Sequence, residues 1–366
     1  MATTQGPITL YSGQHQQMVR LLVSAFEKQT GIEVKVRDGS GPELANQIIR
    51  EGKRTPADVF FTENSPQLVH LEHKGLLAPV AKQTLAAVPA QYSSADGYWV
   101  GVLARENVLT YNPKLVNKAD LPTSILGLAK PKWQGQVGIH ITSSDVLPLI
   151  KAIAIQDGRD TALHWLQGIK RNAKLYQHNS GTVNAVNHGD VAIGISNSYY
   201  YYRLREQVGQ HNMLSRVYHF SAGDAGGLIN ISGAGVLKYA DHPAAAQKLL
   251  AFMVSAKAQS MLAHSTIDFE YPLRAGITAN PQLKPLDALQ PPQLTVDQIG
   301  DDREALELLQ QVGLMLPSAA AASAGRGSVS APQPDRPLCC WGRPYWCRYW
   351  CWRHLPPPCW MLSRVA

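Results

Sequence analysis

The sequence predicts an α/β protein with two lobes, and three observations support this prediction. Short β-type runs alternate with amphipathic helical segments from the start of the chain, which is typical of a mostly parallel sheet covered by helices. Two long extended stretches interrupt this alternation and could each cross between lobes. The chain has 366 residues, of which 45% are hydrophobic, so it can build two cores of ordinary size.

The first third of the chain contains three strand–helix units. "ITLYSG" predicts a strand, and the helix after it carries apolar residues at helical spacing until Gly31 can end it. "IEVKVRDG" alternates as a strand does and precedes the helix "GPELANQIIREG". "ADVFFTE" predicts a third strand, followed by Ser65 and Pro66 in positions that favour a helix start.

The extended stretches divide the rest of the chain. After the first of them, "GYWVGVLARENVLTYN", the sequence predicts the strand "QGQVGIHI", a helix from Ser143 to Ile155, the strand "VAIGISN" and a helix opened by four tyrosines. "GGLINISGAGVLKYA" is the second stretch. We therefore expect an N-terminal lobe of residues 7–105 and 230–280 and a C-terminal lobe of residues 106–229 and 281–316. The cleft between two such lobes is the expected binding site.

The formal charge of +7 is concentrated at the end of the chain. Residues 317–366 hold six arginines, one acidic residue and all five cysteines. The body therefore carries only +2, which predicts no nucleic-acid partner. The cysteine spacings of this tail match no zinc module. We interpret residues 317–366 as an aberrant tail, either disordered or produced by a frameshift; a disulfide-rich or metal-binding appendage is the alternative.

The body lacks the common signatures of catalysis. It contains no cysteine nucleophile and no G-x-S-x-G, P-loop, G-x-G-x-x-G or H-E-x-x-H motif. The sequence therefore predicts a binding protein and not an enzyme. No secretory signal is visible at the start of the chain, and the sequence by itself does not choose a compartment.

Potential metal ligands follow three of the predicted strands. His15 follows the first strand, Glu63 ends "ADVFFTE", and Tyr199 and Tyr200 come directly after "VAIGISNS". The carboxyl ends of strands form the edge at which ligands bind in open α/β sheets, so these side chains could converge if the two lobes face each other.

Two phenols in such a set favour a highly charged cation. A free tyrosine loses its proton near pH 10, so a phenolate at neutral pH needs a strong positive charge beside it. Glu63 and two phenolates would offer three negative charges, which suits a hard trivalent ion such as Fe³⁺. The alternative is that the tyrosines pack in a core or line a sugar or peptide cleft, that His15 is structural and that Glu63 caps a helix.

These segments resemble a known family, the periplasmic ferric-iron-binding proteins of bacterial ABC transporters. The resemblance runs from about Ile8 to Leu314. It is carried by "ITLYSGQH", "FEKQTGIEVKV", "TPADVFFTEN", "GLLAPV", "PKWQGQVGI", "NSGTVNAVNHGDV", "NSYYYYRL", "SGAGVLKYADHPAAAQKLLAFM" and "EYPLRAGI". It implies the two-lobed type II fold of periplasmic binding proteins and a monomer located in the periplasm. It also implies an inner-membrane ABC permease as partner and, as iron donor, a chelate or iron derived from the outer membrane.

The resemblance also implies a set of site residues. The metal ligands would be His15, Glu63, Tyr199 and Tyr200. Members of the family often hold a synergistic anion as well, and the matching anion-binding residues here are Ser143, Ser144, Asn179, Asn197 and Arg105.

The anion site departs from the phosphate-binding pattern. The family has small residues where this chain has Ser144 and Asp145. An ionised Asp145 would repel phosphate unless it turns away, with Arg105 as a counter-charge, so we expect carbonate in preference to phosphate, or else another small anion or water. Two further alternatives stay open: a receptor for an oxyanion or small organic ligand without metal, and an enzyme that uses Glu63 and His15 as acid and base.

Overall fold

An eleven-stranded mixed sheet runs through the part of the chain that the computed structural model describes, residues 6–267 and 269–315. The strands are Ile8–Gly13 (β1), Val34–Asp38 (β2), Val59–Thr62 (β3), Leu77–Ala78 (β4), Val100–Tyr111 (β5), Val137–Ile139 (β6), Ala173–Leu175 (β7), Ile193–Asn197 (β8), Arg216–Tyr218 (β9), Ile229–Leu237 (β10) and Tyr271–Pro272 (β11). The main path of the sheet is β2-β1-β3-β10-β5-β8-β6-β7.

Helices cover this sheet and alternate with its strands along the sequence, as predicted. They are Gln16–Thr30 (α1), Gly41–Glu51 (α2), Ser65–His73 (α3), Lys82–Leu85 (α4), Leu147–Asp157 (α5), Arg159–Asn172 (α6), Asn179–His188 (α7), Ser198–Val208 (α8), Pro243–Met253 (α9), Ala256–Ala263 (α10), Val296–Ile299 (α11) and Arg303–Gln311 (α12). None of the helices within the described ranges is both long and apolar enough to cross a bilayer.

Strand β5 joins two halves of the sheet. Its residues up to Glu106 pair antiparallel with β10, and its residues from Asn107 onward pair antiparallel with β8. On one side of this junction β1 pairs parallel with both β2 and β3, and on the other side β6 pairs parallel with both β7 and β8. Arg105 therefore lies in the middle of the sheet, where the partner of β5 changes.

Two large hydrophobic clusters pack against the sheet. The first contains the strand residue Phe60 and the helix residues Phe26 and Phe252, whose rings meet edge to face at 5.6 Å. The second contains Trp165 and Ile153 from α6 and α5. The described residues nevertheless fall within one compact unit, and the lobe boundaries given above stay a prediction. The predicted tail, residues 317–366, lies outside the described residues.

One predicted helix boundary is wrong. The helix expected from Ser143 begins at Leu147, and a hydrogen-bonded turn precedes it, in which the amides of Val146 and Leu147 donate to the Ser143 carbonyl. Pro148 lies in the first turn of the helix, where a missing amide proton costs nothing. Ser143 and Ser144, two of the residues predicted to bind an anion, therefore lie in a turn and not at the helix start itself.

A pair of aspartates at the start of α12 gives a prediction for stability. Burial raises the pKa of Asp302 to about 7, even though its Oδ2 accepts a hydrogen bond from Gln67 Nε2 at 2.6 Å. A carboxyl whose pKa is raised by folding stabilises the fold below the unfolded pKa of about 3.9 and loses this contribution as the pH rises towards 7. We therefore expect Asp302→Asn to increase the free energy of unfolding by about 1–3 kcal/mol at pH 8, with a smaller gain at pH 5.

Asp301 provides the matched control. Burial opposes ionisation of Asp301, but hydrogen bonds and attraction from Arg303 outweigh it and lower the pKa. Its stabilising contribution is present above the unfolded pKa, so Asp301→Asn should reduce stability at pH 8. Urea unfolding at both pH values measures the two effects, and equal shifts of the same sign in the two variants would contradict this account.

Candidate functional site

The predicted ligands His15 and Glu63 emerge side by side from the sheet. β1 and β3 are parallel neighbours in which Gly13 pairs with Thr62, so the residues that follow them leave the sheet at the same end. Close packing fixes this end, because a Cβ on Gly13 would lie only 2.6 Å from the Cα of Gly41. His15 Nε2 lies 3.1 Å from Glu63 Oε1 as a result.

The first two tyrosines of the run, Tyr199 and Tyr200, lie at the same site as His15 and Glu63. α8 begins at Ser198, directly after β8, so Tyr199 and Tyr200 occupy its first turn. Their rings are 3.9 Å apart, and the Tyr199 hydroxyl lies 3.0 Å from His15 Nε2. The structure thus brings all four residues predicted as metal ligands together.

The other two tyrosines have a packing role. The Tyr201 hydroxyl donates to the Ser215 carbonyl oxygen at 3.4 Å, and the Tyr202 ring stacks on Phe269 at 5.7 Å. Both are buried in the first hydrophobic cluster. The alternative interpretation of the tyrosine run, packing in a core, therefore applies to Tyr201 and Tyr202.

Most of the predicted anion-binding residues lie next to Tyr200. Asn179 Nδ2 donates to Ser143 Oγ at 2.8 Å and contacts the Tyr200 hydroxyl at 3.2 Å. Ser144 Oγ accepts a hydrogen bond from Asn64 Nδ2 at 3.3 Å. Asn197 is buried, and its Oδ1 accepts a hydrogen bond from Asn230 Nδ2 at 3.2 Å.

Asp145 points into this group of side chains. It is 2% exposed, and its Oδ1 accepts a hydrogen bond from Arg105 Nη2 at 3.0 Å. Its Oδ2 accepts from Asn179 Nδ2 at 2.8 Å and from the Tyr200 hydroxyl at 3.3 Å. Asp145 therefore does not turn away from the site. From the sequence, phosphate is expected to fit only if Asp145 turns away.

Sequence reasoning missed two residues of the site, Glu270 and Asn64. Glu270 is 2% exposed, and its carboxylate lies 3.5 Å from Arg105 Nη1 and 3.6 Å from His15 Nδ1. The available signal was an acidic residue in the apolar stretch "DFEYPL". Asn64 looks in the sequence like an ordinary residue before a helix.

The electrostatics of the site keep the phenols neutral while no cation is bound. Burial raises the pKa of Tyr199 and Tyr200 well above their usual value, and nearby negative groups, among them Glu63 and Asp145, raise it further. Burial also raises the pKa of Glu63, against the attraction of His15 and Arg105. A group able to ionise both phenols must therefore carry a large positive charge.

Arg105 holds the carboxylates together. Burial by itself would lower the pKa of Arg105, but Asp145, Glu270 and Glu63 raise it above its usual value. The guanidinium therefore stays charged although it is 0% exposed. Buried charges are tolerated when they are paired and hydrogen-bonded in this way.

A cavity of about 530 Å³ opens beside these groups. Its walls include His15, Glu63, Asp145, Asn179 and Tyr200, together with His140 and His178. Within residues 6–267 and 269–315, no three His, Cys, Asp or Glu side chains form a group that could hold a metal ion. A metal bound here would therefore depend on the tyrosines.

Comparison with known proteins places the chain in a family. Residues 54–295 match the family model described as bacterial extracellular solute-binding protein. The chain is 36% identical over 314 residues to an Fe(3+)-binding periplasmic protein of Serratia marcescens. This match covers 86% of this chain and 92% of that protein. It is 34% identical over 312 residues to the major ferric iron-binding protein of Neisseria gonorrhoeae, covering 84% and 93% of the two chains.

Solved structures show the same fold. Iron-bound HitA from Pseudomonas aeruginosa superposes with a TM-score of 0.81 at 40% identity, covering 84% of this chain and 99% of that one. Trichodesmium IdiA (FutA), in complex with iron and citrate ligands, superposes with a TM-score of 0.74 at 30% identity, covering 85% and 100%. The predicted fold class, that of two-lobed periplasmic binding proteins, is confirmed. The chain belongs to the bacterial extracellular solute-binding proteins and is similar along most of its length to relatives named as ferric-iron-binding periplasmic proteins.

Proposed function

We propose that this chain is a ferric-iron receptor that captures Fe³⁺ in the cavity beside Tyr199 and Tyr200. The observation that carries the proposal is the convergence of two adjacent phenols with His15 and Glu63. Relatives named for Fe(3+) or ferric-iron binding support the same cargo.

The donor set favours Fe³⁺ over common divalent ions. Zinc prefers sulfur and nitrogen ligands, whereas magnesium and calcium prefer carboxylates and carbonyls. Ionised Tyr199, Tyr200 and Glu63 would supply three negative charges from hard oxygen donors, which match a hard trivalent cation. Protons compete for the same groups, so affinity should fall as the pH falls.

The spacing of the donors is compatible with six-fold coordination. Metal–ligand bonds of about 2.0–2.1 Å place adjacent ligands of an octahedral site about 2.9 Å apart. Tyr199 and Glu63 lie 3.0 Å and 3.1 Å from His15 Nε2. Only small movements are needed for one ion to contact all three side chains.

The site supports binding and release rather than turnover. In this proposal the protein is a monomer in the periplasm, takes iron from a chelate and delivers it to an inner-membrane ABC permease. Opening and closing of the predicted lobes around the cavity would expose and enclose the ion. The family of solute-binding proteins and the periplasmic names of the relatives support this role.

The identity of a synergistic anion is part of the proposal. A phosphate dianion would meet the buried Asp145 carboxylate, which makes it a poor ligand for this cavity. Carbonate and bicarbonate are smaller than phosphate, so the cavity would accommodate either of them better than it would accommodate phosphate.

Iron loading with a spectroscopic readout tests the proposed function. Titration of the full-length protein with ferric citrate is expected to give one retained iron per chain and a broad visible absorption band from phenolate-to-iron charge transfer. Iron content is measured after desalting, and Zn²⁺ and Mg²⁺ serve as comparison ions. A colourless protein without retained iron would instead favour a receptor for an oxyanion or an organic ligand.

A further inference from the structure

The carboxylate of Glu270 is buried beside the proposed metal ligands, and one of its oxygens has no donor. Glu270 is 2% exposed, and its Oε1 accepts no hydrogen bond from the residues that the structure describes. Its Oε2 accepts a hydrogen bond from Arg105 Nη1 at 3.5 Å. A buried carboxylate oxygen without a donor is costly, so Oε1 needs a partner.

The ring of His15 can supply the missing donor. Its Nε2 faces the other proposed ligands, at 3.1 Å from Glu63 Oε1 and 3.0 Å from the Tyr199 hydroxyl. Its Nδ1 lies 3.6 Å from Glu270 Oε1, and a shift of about 0.5 Å would complete a hydrogen bond. A neutral imidazole carries one proton, so a proton on Nδ1 leaves the Nε2 lone pair for a metal.

The backbone before Glu270 directs its side chain into the site. Phe269 has a φ of 46°, in the left-handed region that a bulky residue rarely adopts. Its ring stacks on Tyr202 at 5.7 Å, which helps to hold this conformation. Directly after Glu270, Tyr271 pairs with Ala104 of β5. Backbone strain of this kind is concentrated at sites where function requires a particular side-chain direction.

The two oxygens of Glu270 therefore face two different groups, Arg105 on one side and His15 on the other. Histidines that bind a metal almost always donate their other ring N–H to a carboxylate, a carbonyl or water. This contact fixes the orientation of the ring and raises the basicity of the nitrogen that binds the metal.

We propose that Glu270 is a positioning residue for iron binding: its Oε1 accepts a hydrogen bond from His15 Nδ1, which fixes the ring and leaves Nε2 free to bind Fe³⁺. The inference rests on the proposed ferric-iron function. Glu270 acts through His15 and does not itself contact the metal.

A double-mutant cycle separates this role from a general structural one. Glu270→Gln keeps an oxygen for Arg105 but turns an amide NH₂ towards His15, so it should weaken ferric-ion binding at least about 10-fold, as loss of such a partner typically does. In a His15→Ala background the same change should alter the affinity less than about 3-fold, because the group through which Glu270 acts is absent. Competition with citrate measures the affinities. Equal losses in both backgrounds would overturn the proposal, whereas no iron binding by the unaltered protein would reject the ferric-iron function.

Glu106→Gln is the matched control. Glu106 is also buried, and its Oε2 lies 2.9 Å from His219 Nδ1, so this variant changes a carboxylate–imidazole pair that does not involve His15. It should bind iron within about 3-fold of the unaltered protein. A loss as large as that of Glu270→Gln would show that the contact with His15 is not what matters.

NMR of protein loaded with Ga³⁺, a diamagnetic trivalent ion, detects the hydrogen bond directly and does not depend on the folding of a Glu270 variant. We expect a His15 ring proton on Nδ1 that is shifted downfield by the carboxylate and is absent from His15→Ala. In Glu270→Gln this signal should move upfield or disappear. A His15 ring protonated at Nε2 in the loaded protein, or an Nδ1 signal that Glu270→Gln leaves unchanged, would contradict the proposal.

Discussion

Replacing Tyr199 or Tyr200 by phenylalanine is expected to weaken ferric-ion binding by at least about 100-fold, beyond the 10–100-fold typical for loss of a residue that only supports a metal ligand. Each change removes one phenolate oxygen and keeps the ring, so the 3.9 Å ring contact is preserved. The visible absorption band should weaken with the affinity. Competition with citrate measures binding, and thermal unfolding checks that the fold is retained.

The same helix provides matched controls. Tyr201→Phe removes a 3.4 Å hydrogen bond to the Ser215 carbonyl, and Tyr202→Phe keeps the stacking on Phe269. Both variants should bind iron within about 3-fold of the unaltered protein, since a neutral hydrogen bond contributes only about 1 kcal/mol. If all four variants bound iron equally well, the metal could not be held by the tyrosines.

Replacing Arg105 by methionine is expected to give the largest loss of stability, about 3–5 kcal/mol, the cost typical of breaking a buried charge network. Methionine keeps much of the length of the side chain but removes the guanidinium. Asp145 would lose its contact at 3.0 Å and Glu270 its contact at 3.5 Å, which leaves buried carboxylates facing one another. Urea unfolding at neutral pH measures the change.

Arg303→Met is the control for this prediction. Arg303 contacts Asp301 at 2.7 Å, but its side chain is 74% exposed. Exposed ion pairs contribute about 0–1 kcal/mol, so the variant should lose no more than that. An Arg105→Met protein as stable as Arg303→Met would show that the buried carboxylates do not depend on the guanidinium.

The order of strands explains why the predicted ligands could be found from the sequence. His15 and Glu63 follow the parallel neighbours β1 and β3, whose carboxyl ends lie side by side. β8 runs antiparallel to these strands, and its carboxyl end meets theirs from the opposite direction near the middle of β5, so the tyrosines that follow β8 reach the same site. Periodicity was sufficient to predict β1, β3 and β8, because their buried runs are bounded by glycine or polar residues. The choice of metal and of all four ligands depended in addition on the family resemblance.

Other parts of the site depend on contacts between distant residues, which periodicity does not reveal. Glu270 reaches His15 and Arg105 from 165 residues beyond Arg105. The inward orientation of Asp145 depends on donors from β5 and α7 and on Asn64. The late start of α5 likewise reflects the turn that presents Asp145, and helical spacing alone favoured an earlier start.

The location of bound iron tests the central claim most directly. We would crystallise the iron-loaded protein and record anomalous diffraction on both sides of the iron absorption edge. The account predicts one iron peak per chain, within about 2.0–2.2 Å of the Tyr199 and Tyr200 oxygens and beside Asp145. A peak elsewhere, or none between the two phenols in protein that retains iron, would contradict it.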